Sequence, residues 1–349
     1  MNKPDQQHRL VVAERDGAES WEGGMTKTTG PAPYTYPAER CDVLDKANLG
    51  RFREKRAQWI ELLEKDKLHS VGTQLSALVW QDAVFRLLNE AWRLNDPANP
   101  TASMASLLVE ALTNGYVTGL VLGVSRLTDP RKQTKKGDQD VVSLRRVFDD
   151  IRANRDIITR EVFVCYDGLV YDIGDIPPPS ARVGRSGAFT SVSIGGPLDD
   201  VTPTLLHEHF DKLSGVSPDK RRREDLIGES EFDEITALMT IPVIEKLRTL
   251  RNKIVAHAAD PASRDSLTSF GFSLAEAEEA LKALTQAQQR VQLNLLWNTD
   301  SGVMPIPQFD IMEHMDQPFL RPEQLEALAP FWVRIAKERE DWTAKEQSG

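Results

Sequence analysis

Chemistry in this 349-residue chain concentrates in one stretch, IEKLRTLRNKIVAHA at 244–258. Val243, Leu247, Leu250, Ile254 and His257 follow one another at spacings of four, three, four and three. A histidine therefore takes a place that a helical apolar seam would give to an aliphatic side chain. Imidazole, with an unperturbed pKa of about 6.5, can both take and give a proton near neutrality. Six residues earlier Arg251 offers a guanidinium fork to phosphate oxygens, with Asn252 beside it. The combination suits cleavage of an RNA phosphodiester, because the 2′-hydroxyl of RNA supplies the nucleophile and no metal is then required. On a straight helix of about 100° per residue, Arg251 and His257 stand roughly 120° apart with about 9 Å of rise. One helix does not bring both to one atom, so the pair is expected to work across a two-fold axis, in a homodimer.

Helical elements must position that stretch. Residues 1–45 are rich in Gly, Pro, Thr and charge and read as a flexible lead, with Met25 a second candidate start. Amphipathic helices follow from about Asn48, and a third, from about Ser103 to Arg126, is apolar nearly all round and is expected to be the most buried. A fourth is expected over VVSLRRVFDDIRANRDII, giving 46–160 as the first helices of a bundle. At 161–230 the pattern breaks. VFVCYDGLVYDIG places Asp167-Gly168 between two β-prone runs, the sign of a hairpin, so the segment reads as an insertion with a hairpin and a basic loop, KLSGVSPDKRRR. That loop carries Lys212, Lys220, Arg221, Arg222 and Arg223 against Asp219 and is expected to be solvated. Over 231–299 the motif helix, kinked or restarted near Pro242, is followed by one that opens on a capping box, Ser273 with Glu276. The last part, 300–349, is an extension whose terminal helix covers about Pro322 to Trp342.

RNKIVAH resembles the signature of the HEPN superfamily: an arginine, a polar residue, several more residues, then a histidine, on a late helix of an α-helical bundle. Within it the chain is most similar to the abortive-infection U-type group, whose members carry a buried helix ending in something like VSRLTDP, found here at Val124 to Pro130. The resemblance spans about Arg51 to Asp260 and implies a mainly α fold, a HEPN-like antiparallel helical bundle with a small β-hairpin-containing insertion. It also implies a metal-independent, cofactor-free endoribonuclease acting as a homodimer, a toxin of a toxin–antitoxin or phage-defence system with an antitoxin protein as partner. Arg251, Asn252 and His257 match the motif. His257 is then general base or acid, Arg251 the stabiliser of phosphorane charge, Asn252 an orienter, and a 2′,3′-cyclic phosphate the product. Members silenced by a nucleotidyltransferase antitoxin have a tyrosine two residues past the histidine. Here the sequence is His257-Ala258-Ala259, so adenylylation control is not expected.

Composition narrows the alternatives. Lys and Arg number 43 against 53 Asp and Glu, a net charge of −10, so any RNA contact must be local rather than driven by the global field. Near the motif Lys246, Arg248, Arg251 and Lys253 against Glu245 make a local +3, and Arg248 and Lys253 are substrate-binding candidates. Arg126 is a weaker one, because Arg126 and Asp129 read first as an ion pair at a helix end. Cys41 and Cys165 stand apart with no CxxC spacing, which argues against a thiolate metal site and for a reducing, cytoplasmic setting. The longest apolar run, Leu107 to Val124, is broken by Glu110, Asn114, Gly115 and Gly119, and no membrane association is expected. His207-Glu208-His209 lacks zinc-protease spacing and reads as surface polar residues on a helix. RVGRSG and SIGGPL match no phosphate-binding loop, and Trp59, Trp80 and Trp92 sit at core-compatible positions. From another class, a catalytically inactive HEPN-like module that binds a partner protein, nucleotide or RNA fits the same features, and so does a sensor subunit whose insertion recognises a phage or cellular component.

Overall fold

A computed structural model describes residues 36–95, 106–130, 141–172, 182–186, 189–193, 198–255, 271–298, 307, 309–313, 315 and 322–340. The chain divides into two units, Met1–Val303 and Met304–Gly349.

The first unit is mainly helical, and local signals set its helix starts. Helix α1 (Lys46–Ile60) begins at Asp45, whose carboxylate accepts the Asn48 N–H at 2.9 Å. It buries Leu49, Phe52, Trp59 and Ile60 before a π turn at Glu61–Lys65. Helix α2 (Val71–Asn95) opens at Ser70, which accepts the Thr73 N–H, and α4 (Leu144–Ala153) at Ser143, which accepts the Arg146 N–H. On α4, Leu144, Val147, Phe148 and Ile151 form the buried stripe, at helical spacing. Helices α7 (Glu229–Met239) and α8 (Pro242–Leu250) are separate, and Pro242 stands at the first position of α8, where a proline is tolerated because its missing N–H would be unpaired anyway. Helix α9 (Leu274–Gln289) starts with the expected Ser273–Glu276 capping box.

Helix α3 (Ser106–Thr128) lies among these. Its later turns bury Tyr116, Leu120, Val121, Val124 and Leu127 against α2, α4 and α8. At Gly123 an added Cβ would meet Leu78 Cδ2 at 2.5 Å, so a side chain there would require the buried Leu78 to shift where α2 and α3 approach. The expectation that α3 is the most buried helix is corrected. Leu107 is 72% exposed, and Leu108, Leu112 and Leu122 about 40%. A helix apolar all round needs partners all round, and within one chain α3 finds them on one face of its C-terminal half. Leu107–Thr128 is long and apolar enough to cross a membrane by length and composition, and less than a third of its most apolar part is buried.

The Asp167-Gly168 hairpin is also corrected. Val162 to Cys165 form the end of a short, fully buried helix, α5 (Arg160–Cys165), capped by the Thr159 hydroxyl. Gly168, at φ +90°, turns the chain out by donating its N–H to the Cys165 carbonyl. A short run buried on all sides carries no period that separates strand from helix. The strands among the described residues are β1 (Arg182–Ser186) and β2 (Phe189–Ser193), paired antiparallel with Ser186 opposite Phe189. Helix α6 (Leu198–Ser214) follows, and its Leu206, Phe210 and Leu213 join the core that holds α1, α4 and α5.

In the second unit, α10 (Pro322–Glu340) spans most of the expected terminal helix and exposes Leu328, Phe331, Trp332 and Val333.

Candidate functional site

Helix α8 buries Val243, Ile244, Leu247 and Leu250, the first part of the expected seam. There regular α-helix ends. Arg251–Val255 form a π turn, and Ile254, expected to continue the seam, is 38% exposed. Bonds from i to i+5 take more residues per turn than 3.6, so the straight-helix spacing does not hold through Arg251–Val255. His257 lies outside the described residues.

Arg251 opens the π turn and reaches back to the end of α3. Its Nη1 donates to both carboxylate oxygens of Asp129, at 2.9 and 2.8 Å, and its Nε donates to Asn252 Oδ1 at 3.0 Å. Both members of the ion pair keep about a quarter of their side-chain surface exposed. The expected helix-end pair of Arg126 with Asp129 is therefore corrected: the partner of Asp129 is Arg251, 122 residues away. Sequence spacing had no means of joining residues so far apart. Arg126 is exposed, one turn before Asp129. Thus VSRLTDP and RNKIVAH, separate in sequence, meet in space through their acidic and basic members.

The local +3 is largely neutralised. Lys246 pairs with Glu276 at 2.7 Å and Arg248 with Glu245 at 3.0 Å, while Asn252 is exposed and Lys253 half-buried. Lys246 and the Ser273 N–H hold the Glu276 carboxyl below its ordinary value. What this corner can do is bind an anion at a guanidinium already fixed on two of its nitrogens.

Two other expectations change. Two of the three arginines of KLSGVSPDKRRR, Arg221 and Arg223, are not freely solvated, while Arg222 is exposed as expected. Arg221 binds Asp211 at 2.5 Å, and Arg223 binds Glu161 at 2.8 Å with its guanidinium 4.2 Å from the Tyr171 ring centre. Behind them the fully buried Arg160, which the sequence did not single out, bridges Asp211 and Asp225. Burial would raise the Asp211 carboxyl, but the Arg221 and Arg160 guanidiniums overcome it and hold it low. This network neutralises Arg221 and Arg223, and leaves Lys212, Lys220 and Arg222 exposed.

Nor are the histidines of α6 surface residues. His207 is buried, with Nε2 2.8 Å from the Tyr171 carbonyl, and His209 packs between Phe163 and Trp297 with Nε2 3.1 Å from the Asn294 carbonyl. Burial pushes both imidazoles below their ordinary pKa. Burial also pushes the Cys165 thiol up to about 12, which leaves it a poor nucleophile.

Compared with family models, curated proteins and solved structures, the chain has no match.

Proposed function

We propose that the chain is a HEPN-type endoribonuclease, acting in the cytoplasm as a homodimeric toxin of a toxin–antitoxin or phage abortive-infection system. The observation that carries this is the Arg251–Asp129 pair, which joins the two segments on which the resemblance rests. In the proposed reaction His257 of one subunit, as general base or acid, moves a proton at the 2′-hydroxyl or the 5′-oxygen. The 2′-oxygen attacks phosphorus, the bond to the 5′-oxygen breaks, and a 2′,3′-cyclic phosphate and a 5′-hydroxyl result. Arg251 stabilises the charge that develops on the non-bridging oxygens, with Asn252, Arg248 and Lys253 alongside the RNA. A second copy is expected to pack on the exposed apolar face of α3, beside the exposed Arg126 in its last turn, three residues before Asp129.

His257→Ala is expected to lower RNA cleavage by about 10²–10⁴-fold. Arg251→Lys, which keeps the charge but loses the fork, should lower it by about 10²-fold or more with the dimer retained. Wild-type rates in His257→Ala would end the proposal. The pairing of Lys246, Arg248 and Arg251 with carboxylates favours a second reading, an inactive HEPN-like module that binds a partner. No cleavage by wild-type protein, with binding of a partner that Arg251→Lys abolishes, would select it.

A further inference from the structure

We infer that Asp129 is a positioning residue for Arg251: its carboxylate fixes the guanidinium so that Nη2 is presented to a phosphate oxygen, an inference that rests on the nuclease proposal. An arginine side chain left to itself spreads over many rotamers, and a group that must meet charge developing in a transition state works best when its orientation is set beforehand. Here two edges of the fork are already taken. Nη1 is shared between the two Asp129 oxygens, and Nε is bound by Asn252 Oδ1. Among the described residues Nη2 has no partner.

The backbone that carries this carboxylate is itself held. The Asp129 carbonyl accepts the Ser143 hydroxyl at 2.7 Å, and that hydroxyl also caps α4 by accepting the Arg146 N–H at 3.1 Å. Asp129 therefore stands at a corner fixed by the end of α3 and the start of α4, and α8 brings Arg251 to it. With 24% of the Arg251 side chain exposed, an incoming anion can reach it.

Two other roles for Asp129 make opposite predictions. As a counter-charge that shields Arg251, its removal would improve catalysis. As a clasp joining α3 to the π turn, its removal would lower stability whatever stood at 251. Asp129→Asn keeps the shape and removes the charge. Positioning predicts kcat for an RNA oligonucleotide lower by about 10- to 100-fold, because small misplacements of a reacting group cost factors of that order. KM should stay the same or fall, since a negative charge has been taken away from the phosphate. In an Arg251→Lys background the same substitution should change kcat by less than about twofold.

An unchanged or raised kcat in Asp129→Asn overturns the inference, and so does an equal loss in both backgrounds accompanied by a lower Tm. A second readout does not depend on cleavage: the Arg251 Nε–H signal in a 15N side-chain spectrum, identified by its absence in Arg251→Lys. It is expected as a distinct signal in wild type that merges with solvent-averaged arginines in Asp129→Asn. A signal that does not move refutes the bracing. A signal that moves in a protein that cuts no RNA upholds the bracing and refutes the nuclease.

Discussion

Individual side chains in this protein are governed by whether burial or a partner decides their charge. His207 is buried and His209 half-buried, each with one ring nitrogen on a main-chain carbonyl, and both imidazoles are depressed. The unfolded chain, with histidines near 6.5, then binds more protons than the folded one as pH falls below that value. The stability they contribute is fully present above about pH 6.5 and is lost on acidification. Tm is expected to fall between about pH 7.5 and about pH 5.5, where most carboxylates stay ionised. The slope should flatten in a His207→Gln, His209→Gln variant, and an equal slope in both proteins would exclude these imidazoles as its source. Sequence placed both residues on a helix but not in its buried face, because the burying partners, Tyr171, Phe163 and Trp297, come from three separate stretches.

The helix starts at Pro242 and at the Ser273–Glu276 box were legible because each signal acts within four residues of the structure it sets. Asp45 and Ser143 act as locally on α1 and α4 but were not singled out, and those helices begin two residues earlier and three later than expected. The hairpin at Asp167-Gly168 was misread for the opposite reason. Val162 to Cys165 are buried on all sides, and Thr159, three residues upstream, is the cue that makes them helix. Between α2 and α3 the decisive feature is lack of a side chain. Gly123→Ala would set a methyl 2.5 Å from Leu78 Cδ2 and is expected to destabilise the fold by about 1–3 kcal/mol in urea unfolding, as overpacked cores do. An unchanged midpoint would mean that Leu78 swings aside without loss.

For the molecule as a whole, one unexplained apolar surface among the described residues is that of α3. Its exposed face presents Leu108, Leu112 and Leu122 on one side of a 23-residue helix. A face about 35 Å long and about 10 Å wide offers roughly 350 Å², less than half of the about 800 Å² each partner gives to a standard interface. Neighbouring surface must therefore join it in the proposed dimer. Leu108→Lys with Leu112→Lys is expected to convert a dimer to a folded monomer in sedimentation, with a Tm that no longer depends on protein concentration, because both side chains already face solvent within one chain. A variant that stays dimeric would place the contact elsewhere.

By itself the sequence determined the predominance of helix, most helix starts, and the stretch in which an arginine, an asparagine and a histidine stand together. Those are local matters, decided by spacing and by caps a few bonds away. Only the tertiary structure decided that Asp129 belongs to Arg251 rather than to Arg126, that Arg221 and Arg223 are neutralised by Asp211 and Glu161, and that Leu107, Leu108 and Leu112 of α3 stand exposed. Ion pairing and burial depend on which surfaces the folded chain brings within a few ångströms, and residues more than a hundred positions apart carry no mark of that in their spacing.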